Sequence, residues 1–198
     1  MDRTVHILGR REVFNRFIFR IEEVTLKFER FDGSMSKDVT RLLLDRGDSV
    51  AILLHDPSND VVLLCEQFRV PTFDRGPGWL LELPAGMLES GESEEECTRR
   101  EALEETGYRP SILRRIACVY LSPGGSSERT HIFYSTVFPT DHIGIGGGVP
   151  EEDEDIRLII MPRDQAIEKA KDGQILDAKT LIALQWLELQ GPSVPVKV

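Results

Sequence analysis

Residues 86–108 read GMLESGESEEECTRREALEETGY, with seven glutamates between Glu92 and Glu105. Ser93 followed by Glu96 is a capping-box pair, each side chain able to satisfy a backbone N–H at a helix start. Glu94 and Glu95 fall in the first turn, where negative charge suits the positive end of the helix dipole. Gly107 fits the left-handed position that closes a helix. Together these predict a helix from Glu94 to about Thr106.

The last turn of that helix is unfavourable as written. Glu104 and Glu105 lie at the negative end of the dipole, and Glu101 and Glu105, four apart, share a face and repel. Leu103 is the only large aliphatic residue available to offset this by packing. A cation between the carboxylates removes the conflict. Hard divalent ions take oxygen ligands, and Mg²⁺ commonly combines a few carboxylates with substrate phosphate and water.

The spacing is specific. Gly86, five residues, Glu92, seven residues, then Arg100-Glu101-Ala102-Leu103-Glu104-Glu105-Thr106-Gly107-Tyr108 resembles the Nudix box at every defined position. That resemblance implies the Nudix fold: a mixed β-sheet between helices, an α/β/α sandwich of the α/β class. It makes Glu101, Glu104 and Glu105 metal-binding candidates, with the Ala85 carbonyl as a further ligand, and Glu101 and Glu105 catalytic candidates. Arg100 and Glu92 brace the loop–helix–loop. The implied activity is Mg²⁺-dependent hydrolysis, with Mn²⁺ as a substitute, of a nucleoside diphosphate linked to another moiety.

Composition sets outer bounds. With 198 residues, 40% apolar and 29% charged, the chain suits one globular domain with an appendage. A net charge of −10 argues against a nucleic-acid surface, which needs a basic footprint. The same charge opposes a phosphate substrate unless divalent metal is bound. Cys65, Cys97 and Cys118 are odd in number and lack CxxC spacing, which favours free thiols in a reducing compartment. Apolar runs stay far below the roughly 18 residues of a membrane span, and the N-terminus has no signal-peptide pattern. A cytoplasmic protein with no membrane partner is expected.

Residues 17–31 alternate from Val24 and predict a half-buried strand. Asp32-Gly33 is a hairpin signal, with a partner strand near Asp38–Leu44. Residues 1–44 are thus expected to form an antiparallel β arm before a hydrolase domain at 45–198. Phe14, Phe17, Phe19 and Phe31 are many large rings for a short arm. They either pack on their own domain or against a second subunit. Dimerisation through such an arm in the sugar-nucleotide branch of the family favours the second, a homodimer.

Strands are expected at Ser49–His55 and Val61–Gln67, and from Trp79 straight into the box. Arg69 ends a core strand at a site rim, where its guanidinium suits bidentate phosphate recognition. Glu82 either faces the site or pairs with an arginine. After the box, a strand at Ile112–Leu121 leads into Ser122–Glu128, a Pro-Gly loop resembling that of ADP-ribose and sugar-nucleotide pyrophosphatases. Glu128 there is a substrate or metal candidate. His131, in a strand to Phe138, lacks a partner at ligand spacing and reads as structural.

Residues 146–155 read GGGVPEEDED. The glycines predict a flexible loop able to close over substrate. The acids lie at the mouth of a buried strand at Ile156–Met161, where a base or late metal ligand would sit. GGGV followed by EDEDI resembles the GDP-mannose hydrolase branch, which places a catalytic and metal-binding carboxylate at Glu154 with Asp153 on the substrate. Two helices follow, from Arg163 to about Lys171 and from Ala178 to Leu189. The second is capped by Asp177 and has Leu181, Ile182, Trp186 and Leu189 as its apolar face. Lys179 sits in its first turn, unfavourable by the dipole argument, and matches a substrate lysine in that branch's Asp-x-Lys-Thr. The implied substrate is a nucleoside diphosphate sugar, GDP-mannose foremost and ADP-ribose as the alternative. A Nudix-fold sensor that binds nucleotide without cutting it is the reading from another class; its expected mark, a damaged box, is missing.

Overall fold

The computed structural model describes residues 3–191. It comprises two compact units, Met1–Gly47 with Tyr120–Arg129, and Asp48–Val119 with Thr130–Val198.

The first unit holds a three-stranded antiparallel sheet, β1 (Val5–Arg16), β2 (Phe19–Phe28) and β3 (Val39–Asp45), in that order. β2 and β3 lie close to the expected strands. β1 escaped the periodicity argument because two register shifts, at Ile7/Gly9 and Glu12/Phe14, break its alternation, as bulges do. Phe17, at φ 55°, makes the tight turn between β1 and β2. Cross-strand ion pairs lace the sheet: Arg10–Glu22, Arg11–Glu23 and Arg20–Asp45. Its large rings are not buried within the unit. Phe17 is 85% and Phe31 92% exposed, each under an arginine guanidinium, Arg16 and Arg3 respectively.

The second unit is built on a seven-stranded mixed sheet. Its strands are β4 (Ser49–Asp56), β5 (Val61–Phe68), β6 (Trp79–Glu82), β7 (Ala85–Met87), β8 (Arg114–Tyr120), β9 (Arg129–Thr136) and β10 (Ile156–Pro162). The main path runs β10-β5-β4-β9-β8, with β6 on β5 and β7 on β4. β4 is buried along its whole length between parallel β9 and its antiparallel neighbours. That is why SVAILLH is a near-continuous apolar run.

Alternate residues of β4 feed two cores. Ala51 and Leu53 pack with Leu64, Ile132, Ala166, Leu184 and Leu187. Val50, Ile52 and Leu54 pack with Phe133, Cys97 and Ala102. Helix α2 (Glu94–Thr106) therefore covers one face and helices α3 (Arg163–Lys171) and α4 (Ala178–Leu189) the other, with the four-residue α1 (Val70–Phe73) after β5. This is the expected helix–sheet–helix arrangement.

Two expectations change. The strand from Trp79 into the box is broken at Leu83-Pro84. β6 pairs Trp79–Glu82 with β5, whereas β7 pairs Ala85–Met87 with β4. A proline has no N–H for a ladder, and here it marks the crossing from one strand to its neighbour. In α4, Leu181, Ile182 and Trp186 pack against the core as expected, but Leu189 is 83% exposed, and the fully buried stripe is Thr180, Ala183, Leu184 and Leu187. The broad aliphatic content of this helix hid which stripe faces the sheet.

At the crossing, the Leu83 N–H donates to Thr180 Oγ1 (2.8 Å), and Thr180 in turn donates to Asp177 Oδ2 (2.6 Å). Thr180→Val keeps the shape but strands a buried donor. It is expected to cost about 1–3 kcal/mol in urea unfolding; a loss within error would show that Leu83 N–H needs no partner.

Candidate active site

Helix α2 forms over the predicted residues. Ser93 Oγ accepts from Glu96 N–H while Glu96 accepts from Ser93 N–H (2.9 Å), and Gly107 closes the helix at φ 77°, its N–H on the Leu103 carbonyl. Its packing comes from small residues, Cys97, Thr98 and Ala102, which are buried. Leu103, the helix's one large aliphatic residue, is only half-buried, and the closeness that small residues allow brings the glutamate face onto the sheet.

Arg100 is the hub of the loop–helix–loop. Its Nε and Nη2 take both oxygens of Glu92 (2.9 and 3.0 Å), and Nη1 donates to Glu101 (2.6 Å) and Glu104 (3.2 Å). Nη2 also reaches the Met87 carbonyl (3.2 Å). The fork holds the Glu92 carboxyl well below its usual range, at about 2. A Cβ at Gly86 would overlap the Glu101 carboxylate, so any larger residue there displaces that group from its place.

Glu105 is 4% exposed, and one of its oxygens accepts the Ala85 N–H (3.3 Å). Burial, then the Glu101 charge, then Glu154 push its carboxyl up to about 8, against the hydrogen bond from the Cys65 thiol. Burial raises Glu101 to about 7, opposed by Arg100 and helped by Glu104 and Glu154. Glu154, far along the chain, thus acts on the same charge cluster. It accepts the Val149 N–H (3.1 Å). Asp153 beside it is exposed and takes a left-handed conformation, φ 59°.

Among the described residues no three acidic, histidine or cysteine side chains converge on one point closely enough to enclose an ion. The donor set still fits a hard cation. It is all oxygen, partly desolvated, and carries mutual repulsion that a divalent ion relieves.

The other candidates are placed as follows. Arg69 directs Nε (2.9 Å) and Nη2 (2.8 Å) at one oxygen of buried Glu82, so Glu82 is its partner. The arginine is 38% exposed at its side chain. Lys179 pairs with Asp177 at 2.6 Å. Arg69 is held by an acid of strand β6, and Lys179 by the N-cap of its own helix. Glu128 belongs to the first unit and pairs there with Arg46 (3.4 Å). His131 is buried, with Asp48 at 3.9 Å and Glu94 at 3.7 Å.

The glycine run corrects the sequence reading most. It was expected to be flexible, yet Gly147 N–H donates to the Glu105 carbonyl (2.9 Å) and Gly148 N–H to that of Glu104 (3.0 Å). These N–H groups satisfy carbonyls that a helix end leaves open. Three consecutive positive φ values, 72°, 96° and 90° at Gly146–Gly148, explain the glycines. The sequence signal was the run itself, but nothing in it names a helix 40 residues earlier as partner. Nor does the sequence single out Cys65, one of three free thiols, as a hydrogen-bond partner of Glu105.

Comparison with known proteins agrees with this geometry. The family model described as "NUDIX domain" matches residues 45–184. The chain belongs to the Nudix family. The Nudix chain is 39% identical over 186 residues to the ADP-ribose pyrophosphatase of Escherichia coli K12, covering 93% of this chain and 88% of that one. It is 38% identical over 182 residues to the GDP-mannose pyrophosphatase of Cronobacter sakazakii, covering 91% and 93%. A crystal structure titled as an ADP compounds hydrolase superposes with a TM-score of 0.70 at 21% identity, covering 96% and 97%, a likeness of fold. Nudix hydrolases act with divalent metal ions.

The buried carboxylate has a signature in stability. Folding raises the Glu105 pKa from 4.5 to about 8, so the folded chain keeps a proton that the unfolded chain releases between those values. The metal-free protein therefore loses stability as pH rises through that window. Glu105→Gln should melt increasingly above wild type as pH rises from 4.5 to about 8 in chelator, the gap vanishing below the window. A gap independent of pH would show that Glu105 is not buried as a strained carboxylate.

Proposed function

We propose that this Nudix hydrolase cleaves the pyrophosphate of a nucleoside diphosphate sugar, giving a nucleoside monophosphate and a sugar phosphate. GDP-mannose is the leading substrate and ADP-ribose the second. The observation that carries the reading is the cluster of Glu101, Glu105 and Glu154, whose charges act on one another at the buried end of α2. The two pyrophosphatase relatives supply the substrate class, and GGGV–EDEDI with Asp177-Ala-Lys179-Thr180 favours the mannose branch.

On this reading Glu101, Glu104, Glu105, Glu154 and the Ala85 carbonyl hold Mg²⁺, or Mn²⁺ in its place. The cation neutralises phosphate charge and makes water more acidic. Glu154 takes the proton of the attacking water. Oxygen bonds to one phosphorus as the bridging P–O bond breaks in line, and the leaving phosphate carries away the electron pair. Arg69 and Lys179, anchored by Glu82 and Asp177, offer fixed positive charge to the substrate in an acidic chain. Asp153 completes the proposed substrate contacts. All three cysteines are free thiols, and none of the described helices is long and apolar enough to cross a membrane. We place the enzyme in the cytoplasm.

A panel of sugar nucleotides with Mg²⁺, read as kcat/KM, tests the assignment. GDP-mannose is expected to lead, and ADP-ribose in first place would reverse the substrate order. Saturable binding without monophosphate release would favour a sensor. Glu105→Gln should lower kcat by about two orders of magnitude, since several kcal/mol of charge stabilisation is lost at the metal. Near-normal turnover would remove Glu105 from the metal site.

The exposed rings of the first unit, Phe14, Phe17, Phe19 and Phe31, support a homodimer through the N-terminal arm, since exposed apolar surface is what such an interface would bury. Sedimentation at micromolar concentration should give twice the chain mass, and the double substitution Phe14→Asp, Phe17→Asp should give one. A monomeric wild type would refute the arm as an interface.

A further inference from the structure

The run Gly146–Gly148 does more than close a helix. Its three glycines take left-handed conformations and lie against the end of α2. A Cβ at Gly146 would come within 2.7 Å of the Thr106 carbonyl carbon and 2.9 Å of Gly107 N. Gly147 and Gly148 bond the carbonyls of Glu105 and Glu104. The Gly147 carbonyl then accepts the Ile156 N–H (3.1 Å), which seats the start of β10 on the same segment.

Glu154 is enclosed by this arrangement. Its carboxylate accepts the Val149 N–H (3.1 Å), and its own N–H points back to the Val149 carbonyl (3.4 Å). On its other side lies Gly148, where a Cβ would stand 2.7 Å from Glu154 Cβ and 2.9 Å from its Oε2. The backbone that caps the Glu104–Glu105 turn is thus continuous with the backbone that holds Glu154.

We propose that Gly146–Gly148 is a rigid bracket setting the Glu154 carboxylate against Glu101 and Glu105, and that Gly148 is a positioning residue for the reaction. The inference rests on the role given above to Glu154. It replaces a closing lid with a fixed distance between two segments far apart in sequence. Gly148 acts through Glu154 and touches no substrate.

Two neighbouring substitutions separate positioning from backbone strain. Gly147 and Gly148 have similar positive φ values, 96° and 90°, so alanine strains the backbone at both. Only at 148 does the added methyl meet Glu154; at 147 the nearest approach is the Ile156 carbonyl oxygen, at 3.8 Å. Gly148→Ala should lower kcat by about a hundredfold with KM little changed, as a small misplacement of a reacting group does. Gly147→Ala should lose far less. The double variant Gly148→Ala, Glu154→Gln should be no slower than Glu154→Gln alone, since both act on one group.

These rates are measured with Mg²⁺ and GDP-mannose or ADP-ribose. Equal losses at 147 and 148, or multiplying losses in the double variant, would overturn the positioning role. Normal turnover by Glu154→Gln would overturn the role of Glu154 first and that of Gly148 with it. Amide hydrogen exchange on the wild-type protein tests the bracket without activity. The Gly147 and Gly148 amides should exchange as slowly as those in the last turn of α2, and rapid exchange would show a mobile loop and refute the bracket.

Discussion

A carboxylate buried at the carbonyl end of a helix is doubly disfavoured, by desolvation and by the dipole. Glu105 is in that position, with Glu101 one turn before it and Glu154 acting on both. Its neighbourhood consists largely of groups that make this tolerable. The Ala85 N–H and the Cys65 thiol face Glu105. The Arg100 fork ties Glu101 and Glu104 back to Glu92. Gly86 leaves the space that the Glu101 carboxylate occupies. A single cation in the hub is cheaper than one per acid, because a guanidinium presents donors in several directions at once.

The sheet is deformed to serve this turn. β4 and β5 pair only from Leu54 to Asp56, and β6 and β7 attach to their ends, crossing at Leu83-Pro84. That crossing delivers Ala85 and Gly86 to the glutamate face of α2. The buried Leu83 N–H at the crossing donates to Thr180, so the first turn of α4 ties the crossing from the opposite face of the sheet. The same turn carries Asp177 and Lys179. Arg69 is fixed by Glu82 of β6, and Lys179 by Asp177 at the cap of its own helix. In a chain of net charge −10, the cations would otherwise be drawn to the carboxylate cluster itself.

Much of the site was legible because its determinants are local. The helix ends follow from Ser93, Glu96 and Gly107 acting within one turn, and they fall where the sequence places them. The repulsion between Glu101 and Glu105 is a consequence of 3.6 residues per turn and needs no tertiary knowledge. By contrast, β1 was lost to its bulges, and Leu189 does not belong to the apolar face of α4, because aliphatic residues surround the helix. Periodicity identifies a face only where the opposite face is polar.

Sequence alone determined the elements and the chemistry carried by one of them: a capped helix ending in three glutamates that asks for a cation. It did not determine what meets that helix. That Arg69 is held by Glu82, that Glu154 acts on carboxylates far earlier in the chain, and that Gly147 and Gly148 cap Glu105 and Glu104, were decided by the sheet. Hydrogen bonds from a helix end and the fall of charge with distance depend on where segments meet in space. Local spacing carries no record of that meeting.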